Sequence, residues 1–133
     1  MRDNTLSGVI IEAAITVHRE LGPGLLESVY QSCLSKELEL RGIECRAEVP
    51  VPVRYRGEKI PGEGFRLDLL IENQIVVELK AVEKVQPIHL KQLLTYLKLA
   101  DKPLGLLINF NEFLLKNGIT RVANSAHFEE ATQ

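Results

Sequence analysis

The sequence of 133 residues predicts an α/β fold in which helices flank a central mixed β-sheet. Apolar residues recur at helical spacing over residues 3–40 and again over residues 87–100. Between these stretches the apolar period changes to two, which is the period of strands. A continuous apolar run, LGLLINF over residues 104–110, has the length of a buried strand. We therefore expect the order helix, helix, several antiparallel strands, helix, strand.

The first two helices are predicted to form an N-terminal hairpin. Helix one should be capped by Asp3 or Asn4 and should end at about Leu21, because residues 22–24 read Gly-Pro-Gly. Helix two should cover residues 25–40. Its predicted apolar stripe contains Leu26, Val29, Tyr30, Cys33, Leu34 and Leu38.

The middle of the chain is predicted to be a set of strands. We place them over residues 44–49, 51–55, 64–71 and 74–82, with turns at residues 56–59 and 72–73. Pro50 and Pro52 lack a backbone donor, so this region should be a sheet edge or a bend. Helix three is predicted over residues 87–100, because its first residue is a proline. A short strand over residues 119–122 should follow, and the chain after Ala126 should be loose.

Composition and charge narrow the classes of function. The length suits one domain over residues 1–133, and 45% hydrophobic with 26% charged residues is typical of globular proteins. No apolar run approaches the ~18 residues that cross a bilayer, and the polar start MRDNTLSG does not resemble a secretory signal. Cys33 and Cys45 lie outside any metal-binding spacing. We therefore expect a cytoplasmic protein with no membrane partner. A net charge of −2 excludes a general polycation but allows a local nucleic-acid surface.

The stretch FRLDLLIENQIVVELKAV, residues 65–82, reads as a hairpin whose register follows from its apolar pattern. A two-residue turn would mix polar and apolar groups on both faces, whereas a loop over residues 72–74 makes one face wholly apolar. The apolar face then pairs Phe65 with Ala81, Leu67 with Leu79, Leu69 with Val77 and Ile71 with Ile75. The polar face pairs Asp68 with Glu78 and Arg66 with Lys80.

Two carboxylates stand opposite each other in this register, with Cβ atoms about 5 Å apart, and like charges there destabilise a sheet. A divalent cation would offset the repulsion between Asp68 and Glu78, since Mg²⁺ prefers carboxylate oxygens. Lys80 lies on the same face, close enough to act on the same substrate. The alternative is a solvated face with diagonal ion pairs of these acids to Lys80 and Arg66, worth about 0–1 kcal/mol. The hairpin alone leaves both interpretations open.

A second polar group lies on the third predicted helix, PIHLKQLLTYLKLA. His89, Gln92 and Tyr96 share one face at positions i, i+3 and i+7, beside a separate leucine stripe. Such a face suits hydrogen bonds to a substrate or to a metal-bound water, and it is equally typical of a solvated surface. Glu27, in the stretch GLLESVY, is likewise either a functional or a surface acid.

Taken together, these residues resemble a known family. Gly24, Glu27 and Tyr30 match the GxxExxY pattern, which names a family of small bacterial and archaeal proteins. That family is placed in the PD-(D/E)XK nuclease superfamily. Asp68 and the triplet at residues 78–80 match the D…(D/E)xK core of that superfamily.

The helix motif extends the resemblance. Gln92 and Tyr96 match the QxxxY helix of the RecB-like and lambda-exonuclease-like branches. The resemblance covers residues 5–123 with every motif in the expected order. It departs from the pattern at Leu67, which stands where a proline often precedes the acid.

The resemblance implies a restriction-endonuclease-like αβββαβ core and Mg²⁺- or Mn²⁺-dependent hydrolysis of phosphodiester bonds. By this resemblance Asp68 and Glu78 ligate the metal, with the backbone carbonyl of Leu79 as a further ligand. Glu27 completes or orients the site, directly or through a water. Lys80 positions or deprotonates the attacking water and stabilises negative charge.

The resemblance also implies a substrate. Gln92 and Tyr96 would contact the DNA backbone or steady the site, and we expect His89 on the same helix face to bind substrate as well. Two functions are compatible with this resemblance. The first is that of a DNA nuclease in repair, recombination or defence, and the alternative is that of a non-catalytic module that binds nucleic acid or protein. The chain has no Trp and few other aromatic residues, so a homodimer or a partner protein is expected to complete the DNA site.

Overall fold

The computed structural model describes residues 3–62 and 64–127. The helices are α1 (Asp3–Leu21), α2 (Glu27–Leu40) and α3 (Pro87–Ala100). The strands are β1 (Cys45–Val51), β2 (Arg54–Tyr55), β3 (Glu58–Lys59), β4 (Phe65–Ile71), β5 (Ile75–Lys80), β6 (Leu104–Asn109) and β7 (Ile119–Ala123). The predicted cap at Asp3 or Asn4 concerns side chains outside the described part of the chain. Of the tail predicted to be loose after Ala126, only His127 is described, and its Nδ1 lies 3.1 Å from Asp101 Oδ1.

Five strands form one mixed sheet in the order β1-β4-β5-β6-β7, and β2 pairs only with β3. β5 and β6 are parallel and connected through α3, while the other neighbours in the sheet are antiparallel. The series α2, β1, β4, β5, α3, β6 confirms the predicted αβββαβ order and the N-terminal helical hairpin. Among the described residues, no helix is long and apolar enough to cross a membrane.

Two apolar clusters hold the helices to opposite faces of the sheet. The larger one packs α1 and α2 against residues that include Leu69, Val77 and Leu106. The smaller one packs α3 against Leu70 and Leu107, among others. Every residue of β6 is buried, as its apolar run predicts for a central strand covered on both faces.

A missing side chain on β6 allows α3 to approach the sheet closely. A Cβ added at Gly105 would lie 2.9 Å from the side chain of Leu93 in α3. Non-bonded carbon atoms do not approach that closely, so a larger residue here would force the Leu93 side chain or the helix to shift. The distance between α3 and the sheet is therefore set partly by Gly105.

The register predicted for the β4–β5 hairpin is confirmed next to its loop, whereas the predicted pairs from Phe65 to Asp68 with residues 78–81 are not part of the ladder. Leu69 pairs with Val77, Leu70 with Val76 and Ile71 with Ile75. The loop over residues 72–74 places Glu72 and Asn73 at positive φ, 51° and 56°. Asparagine tolerates that region better than most residues, which suits this tight connection.

The predicted strands around the two prolines were partly wrong. β1 continues through Pro50, which pairs with Arg66, because an edge strand tolerates a missing backbone donor. The strand predicted over residues 51–55 is interrupted at residues 52–53, so that Val51 ends β1 and only Arg54–Tyr55 forms a separate strand. β2 and β3 form a small hairpin around Arg56 and Gly57, whose φ values are 52° and 83°. Positive φ at both central residues is the geometry of a tight hairpin turn.

The predicted apolar face of the β4–β5 hairpin was wrong for Leu67 and Phe65 of β4, whereas Leu79 and Ala81 of β5 pack on the predicted side. Leu67 packs in the smaller cluster under α3, with Phe65 against it, although Leu69 packs under α1 and α2. The alternation breaks at Asp68, and Glu48 across from it is missing from the β1–β4 pairing and has a φ of 52°. Such an irregularity rotates the following side chains to the other face of a sheet.

The predicted core stripe of α2 was too wide. Tyr30, Leu34 and Leu38 are buried as expected, whereas Leu26 is 74% exposed. Because the helix begins at Glu27, Leu26 is the residue before its first turn and projects away from the apolar stripe. Val29 is exposed as well.

Candidate active site

The two predicted acids lie where β4 and β5 stop pairing. The Leu79 N–H donates to Asp68 Oδ2 over 2.8 Å, and the Asp68 N–H donates to Glu78 Oε1 over 3.3 Å. In a regular ladder both donors would bond to backbone carbonyls. Here the carboxylates replace those acceptors, so the acids are built into the sheet and hold the strands where they separate.

Glu78 lies in an environment that disfavours its charge. Its side chain is only 8% exposed, so it is not part of a solvated face. Burial, followed by the charge of Asp68, raises the pKa of Glu78 from 4.5 to about 9. In the metal-free protein at neutral pH, Glu78 is therefore protonated and donates that proton to a hydrogen bond with Asp68.

Lys80 belongs to the same constellation. Its side chain is half-buried, and its positive charge lowers the pKa of Glu78 against the larger effect of burial. Among the described residues no ion pair within 4.0 Å joins Lys80 to Asp68 or Glu78. The predicted alternative, a diagonal Asp68–Lys80 ion pair, is thus not formed.

The backbone of Leu79 is oriented toward the acids. The carbonyl of Lys80 accepts from the N–H of Phe110 over 2.8 Å, so Lys80 bonds toward β6. Neighbouring residues of a strand bond in opposite directions, and the N–H of Leu79 points to Asp68 on β4. Since N–H and C=O of one strand residue point the same way, the Leu79 carbonyl also faces the gap between β4 and β5.

α3 brings Tyr96 and Gln92 to the acids. The ring of Tyr96 stacks on Phe65 of β4, with centroids 4.1 Å apart. Burial, then the charges of Glu78 and Asp68, raises the pKa of Tyr96, and a hydrogen bond with the Gln92 side chain opposes that rise. Gln92 itself is exposed, so the two side chains extend from the acids to the surface.

His89, the third residue of that predicted face, has a structural contact. Its Nδ1 accepts the backbone N–H of Gln86 over 3.0 Å, at the start of α3. This bond satisfies one of the free donors before the first helical turn and fixes the proton on Nε2. A role for His89 in substrate binding stays a prediction.

Glu27 approaches the site from the opposite side of the sheet. The chain turns into α2 at Gly24, whose φ is 96°, and Glu27 is in the first helical turn. Glu27 Oε1 accepts the N–H of Ala81 over 3.3 Å, just beyond the end of β5. A cavity of about 510 Å³ is lined by Glu27, Asp68 and Glu48, among others.

Tyr30 fixes the loop that carries Glu27. Its hydroxyl donates to the carbonyl of Gly22 over 2.5 Å and accepts the N–H of Leu25 over 3.1 Å. The buried ring stacks on Phe110, with centroids 4.5 Å apart. The Tyr30 side chain therefore positions Glu27 through its hold on the preceding loop.

Sequence reasoning missed two residues of this region. Glu48 lines the cavity, and its Oε1 accepts from Gln31 Nε2 over 3.2 Å; nothing in the sequence distinguishes it from a surface acid. Asn109 is fully buried, and its side chain bonds both the N–H and the carbonyl of Val82, over 3.1 and 2.9 Å. A polar residue closing an apolar strand was the available signal for Asn109.

A family model described as PD-(D/E)XK nuclease superfamily matches residues 4–122. The chain belongs to this superfamily. No curated protein and no solved structure matches the chain. The mixed five-stranded sheet flanked by helices is the restriction-endonuclease-like fold of PD-(D/E)XK proteins, which confirms the predicted fold class.

PD-(D/E)XK nucleases generally use divalent metal ions, and the donors near Asp68 suit a hard cation. Asp68 and Glu78 each use one carboxylate oxygen for a backbone N–H. Once Glu78 loses its proton, the hydrogen bond between the two side chains opens, and a second oxygen of each acid can bind a ligand. Within residues 3–62 and 64–127, no group of three or more His, Cys, Asp or Glu could enclose a metal. Two carboxylates with a carbonyl from Leu79 fit a partly hydrated Mg²⁺ or Mn²⁺ better than a fully enclosed ion.

Proposed function

We propose that this protein is a nuclease that hydrolyses phosphodiester bonds of DNA with Mg²⁺ or Mn²⁺ as cofactor. The observation that supports it best is the set of Asp68, Glu78 and Lys80 at one break in the sheet. A purely structural pair of acids would gain nothing from burial that leaves one of them protonated. Such a pair is, in contrast, a prepared binding site for a cation.

Asp68 and Glu78 would hold the metal, together with the Leu79 carbonyl, and Glu27 would complete its shell directly or through a water. When bound, a divalent ion supplies charge that stabilises the attacked phosphate and lowers the pKa of a nearby water. Glu78 must give up its proton before it can serve as a ligand. Metal affinity should therefore rise with pH.

The remaining groups act on the substrate. The ammonium of Lys80 orients or deprotonates the attacking water and donates to the negative charge that develops on the phosphate. Gln92 and Tyr96, joined by their own hydrogen bond, offer an amide and a hydroxyl to the DNA backbone. Because Lys80 is half-buried beside the two acids, its ammonium group can contact the water or the phosphate without a large movement.

We further propose that the chain belongs to the GxxExxY branch, with Gly24, Glu27 and Tyr30 as its motif, and that Gln92 and Tyr96 make it a QxxxY nuclease. Repair, recombination or defence is the class of process such an activity would serve, and residues 1–133 form one nuclease-like domain. A second copy or a partner protein would supply further contacts to long DNA.

The decisive experiment compares the natural chain with Lys80→Ala on single-stranded, duplex and branched DNA, with Mg²⁺ or Mn²⁺ and with chelator. We expect metal-dependent cleavage by the natural chain and none by Lys80→Ala, with the thermal unfolding temperature nearly unchanged. Cleavage that persists in Lys80→Ala contradicts the proposed mechanism. Binding without cleavage by the natural chain would instead establish a non-catalytic module.

A further inference from the structure

A second cavity, of about 470 Å³, lies between α1 and the loop that follows β6. Phe113 forms part of its wall and is 85% exposed, a high value for a phenylalanine. Arg19 of α1 and Lys116 contribute two cations to the same wall. We call Phe113, Arg19 and Lys116 the Phe113 platform.

The platform is close to the candidate active site along the sheet. β5 and β6 are parallel, and their last paired residues are Lys80 and Asn109. The next residue, Phe110, donates its N–H to the carbonyl of Lys80 over 2.8 Å. The loop that bears Phe113 therefore leaves the sheet beside the lysine of the proposed site.

The loop between α1 and α2 contributes residues to the lining of both cavities. Gly22 and Pro23 line the cavity of the Phe113 platform, while Leu25 and Leu26 line the cavity that contains Asp68. Only Gly24 lies between Pro23 and Leu25, so the Cα atoms of these two residues are at most ~7.6 Å apart. A nucleic-acid strand that runs along this loop would therefore meet both cavities.

The loop of the platform is held in place. The imidazole Nε2 of His18 lies 2.7 Å from the carbonyl oxygen of Glu112, next to Phe113. At the start of the loop, Phe110 is buried beneath Tyr30. An exposed ring on a loop anchored at both points loses little conformational entropy when a ligand stacks on it.

The charges of the platform suit phosphate. In the described part of the chain, neither Arg19 nor Lys116 forms an ion pair or a side-chain hydrogen bond. Glu112 of the same loop contributes its backbone carbonyl to His18. An exposed aromatic ring beside two unpaired cations is the combination that binds single-stranded nucleic acid, because every base has a face that stacks.

We propose that the enzyme acts on single strands or unpaired ends of DNA. An unpaired base of the bound strand stacks on Phe113 of the platform, while a neighbouring phosphate of the same strand lies at Asp68 and Glu78. This inference rests on the proposed function and specifies its substrate class. In a continuous duplex the bases are stacked on each other and paired, so none is available to Phe113. Arg19 and Lys116 bind the phosphates on either side of the stacked base.

Measurements of DNA binding test the Phe113 platform, and no cleavage interferes with them if each variant also carries Lys80→Ala. Fluorescence anisotropy with a labelled oligothymidine and Mg²⁺ should show that Phe113→Ala lowers affinity by about 5- to 100-fold, the usual effect of losing one stacked base. Affinity for a closed duplex without ends should not change. Lys116→Gln should reduce the salt slope of single-strand binding by roughly 0.7.

Two matched variants identify the interaction. Phe113→Tyr keeps a ring and should bind like the parent, whereas Phe113→Leu keeps apolar bulk without a ring and should bind as weakly as Phe113→Ala. Tyr55→Ala removes another exposed aromatic, on β2, and should have no effect. Thermal unfolding temperatures should agree within error, since these side chains are exposed.

The outcomes separate this inference from the proposed function. If the natural chain cleaves DNA but Phe113→Ala binds single strands like Tyr55→Ala, the platform is wrong and the nuclease remains. If Phe113→Leu binds like the parent, stacking is excluded and the platform as proposed is wrong. Binding through Phe113 without any cleavage by the natural chain would keep the platform and overturn the nuclease.

Discussion

At the scale of single residues, Glu78 illustrates how a fold sets the charge of a side chain. It sits on a central strand, almost out of contact with water, and its nearest ionisable neighbour is another acid, Asp68. A raised pKa follows from both conditions. In the metal-free protein, the proton of Glu78 removes the repulsion between the two carboxylates, which a bound cation would otherwise have to offset.

The first prediction concerns pH. The folded pKa of Glu78, about 9, lies above its unfolded value of 4.5, so the folded state binds more protons between these values. Stability of the metal-free protein should therefore fall as pH rises from 5 to 8, by at least about 1.4 kcal/mol, the equivalent of one pKa unit. Glu78→Gln stays neutral throughout and should show a flatter profile. Urea unfolding in chelator measures both, and equal slopes would contradict the raised pKa.

The second prediction concerns Gln92. Its side chain is exposed, so Gln92→Ala should change the free energy of unfolding by no more than about 0.5 kcal/mol. Cleavage or DNA binding should weaken, because the amide is lost and the hydroxyl of Tyr96 loses its partner. Lys91→Ala, at an exposed neighbour on α3, is the matched control. A large loss of thermal stability in Gln92→Ala would show that this helix face is structural.

At the scale of elements, the Tyr30 hydroxyl holds the turn between α1 and α2 in place through two hydrogen bonds. The third prediction is that Tyr30→Phe lowers the free energy of unfolding by about 1 kcal/mol, the usual value of one lost hydrogen bond. Cleavage should fall further than stability explains, because Glu27 is no longer positioned. Stabilisation by Mg²⁺ should remain, since Asp68 and Glu78 are intact.

The control for Tyr30→Phe is Ile10→Val, at a fully buried position on α1, which should lower stability by a similar amount, about 0.5–1.5 kcal/mol. Cleavage per folded molecule should be unchanged in this control. If both variants lose cleavage equally, the effect of Tyr30 is one of stability alone.

The elements that the sequence predicted well are those whose apolar period decides them locally. α3 and β6 formed as expected, and the hairpin register followed because a slip would expose Leu69 and Val77. The break at Glu48 was not predictable, because a positive φ in a non-glycine residue depends on tertiary contacts. The same applies to Leu67, whose face changes at that break.

The residues of the candidate site also divide into those that local spacing predicts and those that depend on tertiary contacts. Spacing alone placed Asp68 and Glu78 together, since strand geometry fixes which side chains are neighbours. Glu27 came from the family resemblance and not from spacing, because its contact with Ala81 joins residues far apart in the chain. The loss of pairing between β4 and β5 could not be predicted, as it depends on carboxylates that compete with carbonyls for the same N–H groups.

At the scale of the whole molecule, metal binding and folding are linked. The fourth prediction is that 10 mM Mg²⁺, with a dissociation constant of about 1 mM, stabilises the protein by roughly 1.4 kcal/mol. For this length the unfolding temperature should rise by roughly 3–6 °C. Asp68→Asn should lose most of this rise.

In chelator, Asp68→Asn should unfold at no lower temperature than the natural chain. Its amide oxygen can still accept the N–H of Leu79, and its NH2 group can donate to Glu78, which is then less strongly held in the protonated form because the charge of Asp68 is gone. Differential scanning calorimetry with and without Mg²⁺ measures both effects. An equal response of the two proteins to Mg²⁺ would show that Asp68 is not a ligand.

Because carboxylates replace backbone carbonyls as acceptors between β4 and β5, two backbone amides of the protein report on the charge of the site. The amide hydrogens of Asp68 and Leu79 bond to side chains that titrate, whereas their neighbours at Leu69 and Val77 lie in a regular ladder. The chemical shifts and deuterium-exchange rates of those two amides must respond to each change of charge at the site. Nuclear magnetic resonance of the backbone can thus follow proton loss and ion uptake in solution before any substrate is known.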